Sequence, residues 1–117
     1  MACIFCKIIN KQAPADIVYQ DDKFIAIKDI RPKAPIHLLI IPKKHIPSLN
    51  DLEIQDKELM GDLLWVSKKI AKELGIADTG YKLLINVGQG GGQMVDHIHL
   101  HLLSGWKSED EYKIFKV

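Results

Sequence analysis

The chain has 117 residues, 47% of them apolar, which suits one compact domain with a radius of gyration of about 13 Å. Lys and Arg number 16 against 15 Asp and Glu, a formal charge of +1, and this balance argues against bulk binding of nucleic acid or anionic lipid, which needs a basic excess. No apolar run approaches the roughly 20 residues of a membrane span. Met1 to Lys7 lacks the signal-peptide pattern, so the expectation is a cytoplasmic protein, nuclear as well if the source is eukaryotic, with a single domain over residues 1–117.

Residues 4–10 read as a short helix that closes before Pro14. Cys3 and Cys6, the only cysteines, form Cys-x-x-Cys at its start. Such a pair serves as a metal clip, a redox dithiol or plain buried thiols, and the spacing alone does not choose. Ile17 to Gln20 and Phe24 to Ile27 are β-rich runs around a tight turn at Asp21-Asp22-Lys23. Pro32 and Pro35 make Asp29 to Pro35 an irregular connection. His37 to Ile41 is then a buried strand stopped by Pro42. From about Leu52 the period changes. Leu59, Leu63, Val66, Ile70 and Leu74 recur at steps of three and four, with Met60 and Leu64 beside them. This predicts an amphipathic helix ended by Gly75 in a left-handed C-cap. Tyr81 to Val87 and Ile98 to Leu103 follow as strands around a glycine-rich loop. Short connections in the order β-β-β-α-β-β predict an α+β domain, an antiparallel sheet carrying one main helix.

The stretch Asp96 to Leu103 holds the strongest chemical signal. In a strand, His97, His99 and His101 share one face and Ile98, Leu100 and Leu102 the other. Neighbouring imidazoles then stand roughly 6.5–7 Å apart. Each has a polar edge that needs a partner and each titrates near neutrality, so a metal site or a row of catalytic bases is expected. Just upstream, Asn86 to Met94 has glycines at 88, 90, 91 and 92, whose missing Cβ atoms let backbone N–H groups cradle an anionic oxygen. His37 is a candidate to line the same pocket.

His97-Ile98-His99-Leu100-His101-Leu102-Leu103 resembles the His-φ-His-φ-His-φ-φ signature (φ apolar) of the histidine-triad, or HIT, superfamily. Cys3 to Ile9, Asp29 to His37, Ile41 to Ile46 and Gly91-Gly92-Gln93 fall in the matching order, and the Pro42-Lys43-Lys44-His45-Ile46 segment is most similar to the Hint branch of nucleotide-binding purine phosphoramidases. The resemblance implies a five-stranded antiparallel sheet with one main helix and a short N-terminal helix, paired in a homodimer. It implies cleavage of purine nucleoside 5'-phosphoramidates, with acyl-nucleotides as further candidate substrates, at the α-phosphorus through a covalent nucleotidyl-histidine. By position His99 would be the nucleophile, His101 would contact phosphate, and His37 and His97 would complete the catalytic histidines. Asn86, Gly92, Gln93 and Met94 would surround the phosphate, Asp29 would accept from the ribose hydroxyls, and Phe5, Ile8, Ile27 and Ile30 would wall the base. Met94 stands where many relatives carry a serine that helps the leaving group, and methionine donates no proton. The segment from Trp106 to Val117 also departs from close relatives.

The resemblance extends to metal. Some HIT proteins with Cys-x-x-Cys close a Cys₂His₂ site, which here would be Cys3, Cys6, His45 and His97 around one structural zinc; no organic cofactor is implied. An exposed sheet edge and Trp65 on the long helix accord with the implied homodimer. Two other functions share these motifs: a dinucleoside polyphosphate hydrolase, and a nucleotide-responsive interaction protein with weak catalysis. A zinc-dependent hydrolase using metal-bound water is a further alternative.

Overall fold

A computed structural model describes residues 3–108 and Glu111. Most of the divergent C-terminal segment therefore lies outside the described residues. Helix α1 spans Ile4–Ile9, followed by strands β1 (Ile17–Gln20), β2 (Phe24–Lys28) and β3 (Ile36–Pro42). Two short 3₁₀ turns, Leu49–Asp51 and Ile54–Asp56, lead into helix α2 (Lys57–Glu73), and strands β4 (Lys82–Leu84) and β5 (Leu100–Ser104) complete the sheet. Its order is β1-β2-β3-β5-β4 with every neighbour antiparallel. This is the expected α+β architecture, with one main helix and a short N-terminal one.

Strand alternation divides the interior into two layers. Phe24 and Ala26 on β2, Leu38 and Ile40 on β3, and Leu100 and Leu102 on β5 pack against Leu63, Val66, Ile70 and Ala71 of α2. The intervening residues Ile25, Ile27, Leu39 and Ile41 pack on the other face with Phe5 and Ile8 of α1. β2 and β3 are therefore apolar at successive positions, as strands buried on both faces must be. Each fully buried aliphatic contributes about 1.5–3 kcal/mol, so Leu63→Ala, at a residue 1% exposed, would cost about 2–5 kcal/mol. α2 ends as its sequence requires. Gly75 has φ 74°, its N–H reaches Lys72 O at 3.1 Å, and Ile76 N–H reaches Ala71 O at 3.1 Å, a left-handed cap that disfavours any Cβ.

Three expectations change. The strand expected over 81–87 is regular only at Lys82–Leu84, because β4 is an edge with a single partner, β5. β5 begins at Leu100, so only His101 of the three histidines lies in the ladder; His97 sits in the bend before it and His99 in the irregular stretch that leads into the strand. Leu64 and Leu74 are half exposed, at 55% and 42%, because the buried stripe of α2 runs through Leu63, Val66, Ser67, Ile70 and Ala71. No helix among the described residues is long and apolar enough to cross a membrane.

Candidate active site and metal cluster

His37 and His101 stand on adjacent strands, with His37 opposite Leu103 and His101 opposite Leu39. Their rings meet at His37 Nε2–His101 Nδ1, 2.9 Å. The proton positions follow from the backbone. The Lys33 N–H donates to His37 Nδ1 at 3.1 Å, so in neutral His37 the proton is on Nε2 and is donated to His101 Nδ1. His101 then carries its own proton on Nε2. His99 is fixed separately: its Nδ1–H donates to the His97 carbonyl at 2.8 Å, which leaves the lone pair on Nε2. The rings of His99 and His101 are 5.1 Å apart, and the Phe5 ring stands edge-on to His99 at 5.0 Å.

Burial keeps these imidazoles neutral. It pushes His99 below the ordinary histidine value, against the pull of the His97 carbonyl and Asp29. His101 falls to about 4, through burial first and then the neighbouring His99 and His37. His37 is also lowered by burial, although Asp29 Oδ2 lies 3.4 Å from its Nε2 and opposes the shift. Asp29 Oδ1 meanwhile accepts from the Arg31 N–H at 2.8 Å. The Asp29–His37–His101 group has the composition of a metal site. The Lys33 N–H occupies the His37 lone pair, however, and so makes this a hydrogen-bonded row.

The glycine loop folds onto itself. Gly88 (φ 68°) and Gly92 (φ 79°) take left-handed conformations that favour glycine. Gly91 and Gln93 donate to Gly88 O at 3.1 and 3.0 Å, and Gly92 donates to Gln89 O at 3.0 Å. The Met94 N–H has no acceptor among the described residues, and the Met94 side chain is 91% exposed. Asn86 Nδ2 donates to Gly91 O at 2.7 Å, and the Gln93 side chain bonds within and beside the turn. Of the residues expected to wall a base, Phe5, Ile8 and Ile27 come together in one buried cluster, whereas Ile30 is 92% exposed. A shallow open depression lies beside Ile8, bounded by Lys11, Gln12, Ala13, Pro14, Ala15 and Ile17. Sequence reasoning missed the parts played by the Lys33 N–H and the Pro42 carbonyl. Main-chain partners carry no side-chain signal.

The second cluster lies where α1 begins. Cys3 caps the helix, and its Sγ accepts from the Cys6 N–H at 3.4 Å. Cys6 Sγ is 3.3 Å from His45 Nδ1, while His97 Nδ1 lies 3.5 Å from Cys3 Sγ, 3.6 Å from Cys6 Sγ and 3.1 Å from His45 Nδ1. The four donor atoms all fall within 4.8 Å of one another. A tetrahedron with Zn–N of about 2.0–2.1 Å and Zn–S of about 2.3 Å has edges of about 3.3–3.8 Å, so the donor set fits zinc. His97 is oriented for it: its Nε2–H donates to the Pro42 carbonyl at 2.7 Å, which leaves the Nδ1 lone pair facing the cluster.

Residues 10–108 match the HIT domain family. The chain belongs to the HIT family. It is 50% identical over 102 residues to the purine nucleoside phosphoramidase of Escherichia coli K12, covering 87% of this chain and 86% of that protein. A HIT family hydrolase from Legionella pneumophila superposes with TM-score 0.87 at 51% identity, covering 90% of this HIT chain and 94% of its own. A Zn-bound histidine triad protein from Mycobacterium smegmatis superposes with TM-score 0.78 at 36% identity, over 93% of this chain and 78% of that one.

Proposed function

We propose that this HIT protein hydrolyses purine nucleoside 5'-phosphoramidates to the nucleoside monophosphate and an amine. The observation that carries the reading is the His99 tautomer, with Nδ1–H held by the His97 carbonyl and the lone pair left on Nε2. A neutral imidazole brings no negative charge to an anionic phosphorus. His99 Nε2 attacks the α-phosphorus and the P–N bond breaks, giving a nucleotidyl-histidine. His101 Nε2–H and the unpaired Met94 N–H stabilise charge on the phosphoryl oxygens. No side-chain hydroxyl stands at Met94, so the leaving amine takes its proton through water. A second water attacks phosphorus, the P–Nε2 bond breaks, and the proton released restores the balance. Phe5, Ile8, Ile27 and the exposed Ile30 are the apolar set for the base, and Asp29 is the ribose acceptor. The test is mass spectrometry of the protein trapped during turnover of an adenosine phosphoramidate. A nucleotidyl adduct on His99 is expected, and full activity of His99→Ala would overturn the mechanism. Turnover of a diadenosine polyphosphate in preference to the phosphoramidate would favour the alternative hydrolase.

Cys3, Cys6, His45 and His97 are the proposed ligands of one zinc ion. Four protein donors fill a tetrahedral shell, so zinc here pins α1 to the segment after β3 and fixes His97. The thiols accord with a reducing cytoplasm. A homodimer is supported by Trp65 and Leu64 on α2, 68% and 55% exposed, and by Leu83 and Leu84 on the edge strand β4. Light scattering would report a mass of twice the chain.

A further inference from the structure

Gln93 has no free hydrogen-bond donor left for an anionic ligand. Its Oε1 accepts from the Gly88 N–H at 2.8 Å, and its Nε2 donates to the Pro47 carbonyl at 2.6 Å and the Val95 carbonyl at 2.9 Å. Both amide hydrogens and the carbonyl oxygen thus have partners. The Gln93 main-chain N–H adds a tie to Gly88 O at 3.0 Å. These bonds grip the chain on either side of Met94: Gly88 holds the residue before it, and the Gln93 side chain holds the carbonyl of the residue after it. The Met94 peptide is therefore fixed in direction while its own N–H stays unpaired. Pro47 gives the turn a footing outside itself. It ends a segment that the histidine stretch also holds, through Ile98 N–H to Ile46 O at 2.7 Å and His97 Nε2–H to Pro42 O at 2.7 Å.

We propose that Gln93 is a positioning residue that meets no substrate atom and instead aims the Met94 N–H at the bound phosphate by tying the glycine turn to Pro47. The inference rests on the phosphate-binding reading of this turn and assigns the work within it. A glutamine beside a phosphate would ordinarily be read as a direct donor. Here a donation to phosphate would require breaking the bond to the Pro47 carbonyl, or the bond to the Val95 carbonyl, which would then keep only the His97 N–H at 2.9 Å.

The variant that tests this is Gln93→Met, which keeps the length of the side chain and removes its three bonds. Amide hydrogen exchange at Gly88, followed by NMR without nucleotide, is expected to quicken about tenfold, and the Kd for AMP to rise about tenfold. KM for a phosphoramidate should rise by more than kcat falls. Unchanged Gly88 exchange or unchanged AMP affinity in this variant overturns the proposal. Wild-type protein that binds no AMP would instead overturn the phosphate reading beneath it. If the variant does not fold, the wild type decides. The Gln93 side-chain amide protons should exchange about tenfold more slowly than those of exposed Gln89, with AMP present as well as absent. Loss of that protection when AMP binds would make Gln93 a substrate contact.

Discussion

His97 and His37 each hold one ring nitrogen on a main-chain group, and the two groups are of opposite kind. The Pro42 carbonyl takes the His97 Nε2–H and leaves a lone pair on Nδ1, facing two thiols and His45. The Lys33 N–H takes the His37 Nδ1 lone pair and leaves a proton on Nε2, facing His101 and Asp29. One cluster is thereby prepared to give lone pairs to a cation, the other to present protons to an anion. His99 belongs to the second cluster but takes its orientation from the backbone of the first, through the His97 carbonyl. Residue type supplies the imidazole, and its main-chain partner decides what the imidazole does.

Breaking the anion-facing cluster should have the larger effects. His99→Ala is expected to lower phosphoramidate turnover by about 10⁴-fold or more, with zinc content unchanged by atomic emission. His101→Ala, which removes one proton donor to the phosphoryl oxygens, should lower kcat by about 10²–10³-fold in steady-state assays. Breaking the other cluster should act on stability first. Cys6→Ser should lose the metal and lower Tm by roughly 10 °C in calorimetry. Its activity should stay within about tenfold of wild type, because the group that holds His99 is a carbonyl of the chain and no metal ligand itself. A loss comparable with that of His99→Ala would show that the two clusters are one unit.

The smallest effect is with pH. His101 binds a proton near 6.5 in the unfolded chain and only at about 4 when folded, facing His99, His37, Asp29 and Lys33. The unfolded state therefore gains protons first as pH falls, so stability is full above 6.5 and declines toward 4. His101 alone should make the protein about 2 kcal/mol less stable at pH 5 than at pH 7 in urea titrations, and His101→Asn should flatten that slope.

Much of this was legible in the residues. The continuous apolar runs at 24–27 and 37–41, the steps of three and four from Leu59 to Ile70, and Gly75 after them placed the central strands, the main helix and its end. The histidine signature and Cys-x-x-Cys marked both clusters. Less legible was where regular structure stops. Only His101 lies in the β5 ladder, since pairing with β3 and β4 begins at Leu100 and Leu84 opposite His101, and pairing depends on the neighbours a strand acquires. Gln93 looked like a phosphate ligand because its polar head says nothing of which carbonyls it will meet.

The sequence by itself determined the order and type of the elements and the chemistry on offer, because strand and helix patterns act over a few residues and side-chain types are given outright. The tertiary structure decided which nitrogen of each imidazole carries the proton, which N–H of the glycine turn stays free, and that Cys3 and Cys6 meet His45 and His97. Each of these depends on contacts across the fold, such as His97 with Pro42 at a separation of 55 residues and His37 with His101 at 64. Hydrogen bonds act only over about 3 Å, so their partners are chosen when the sheet closes.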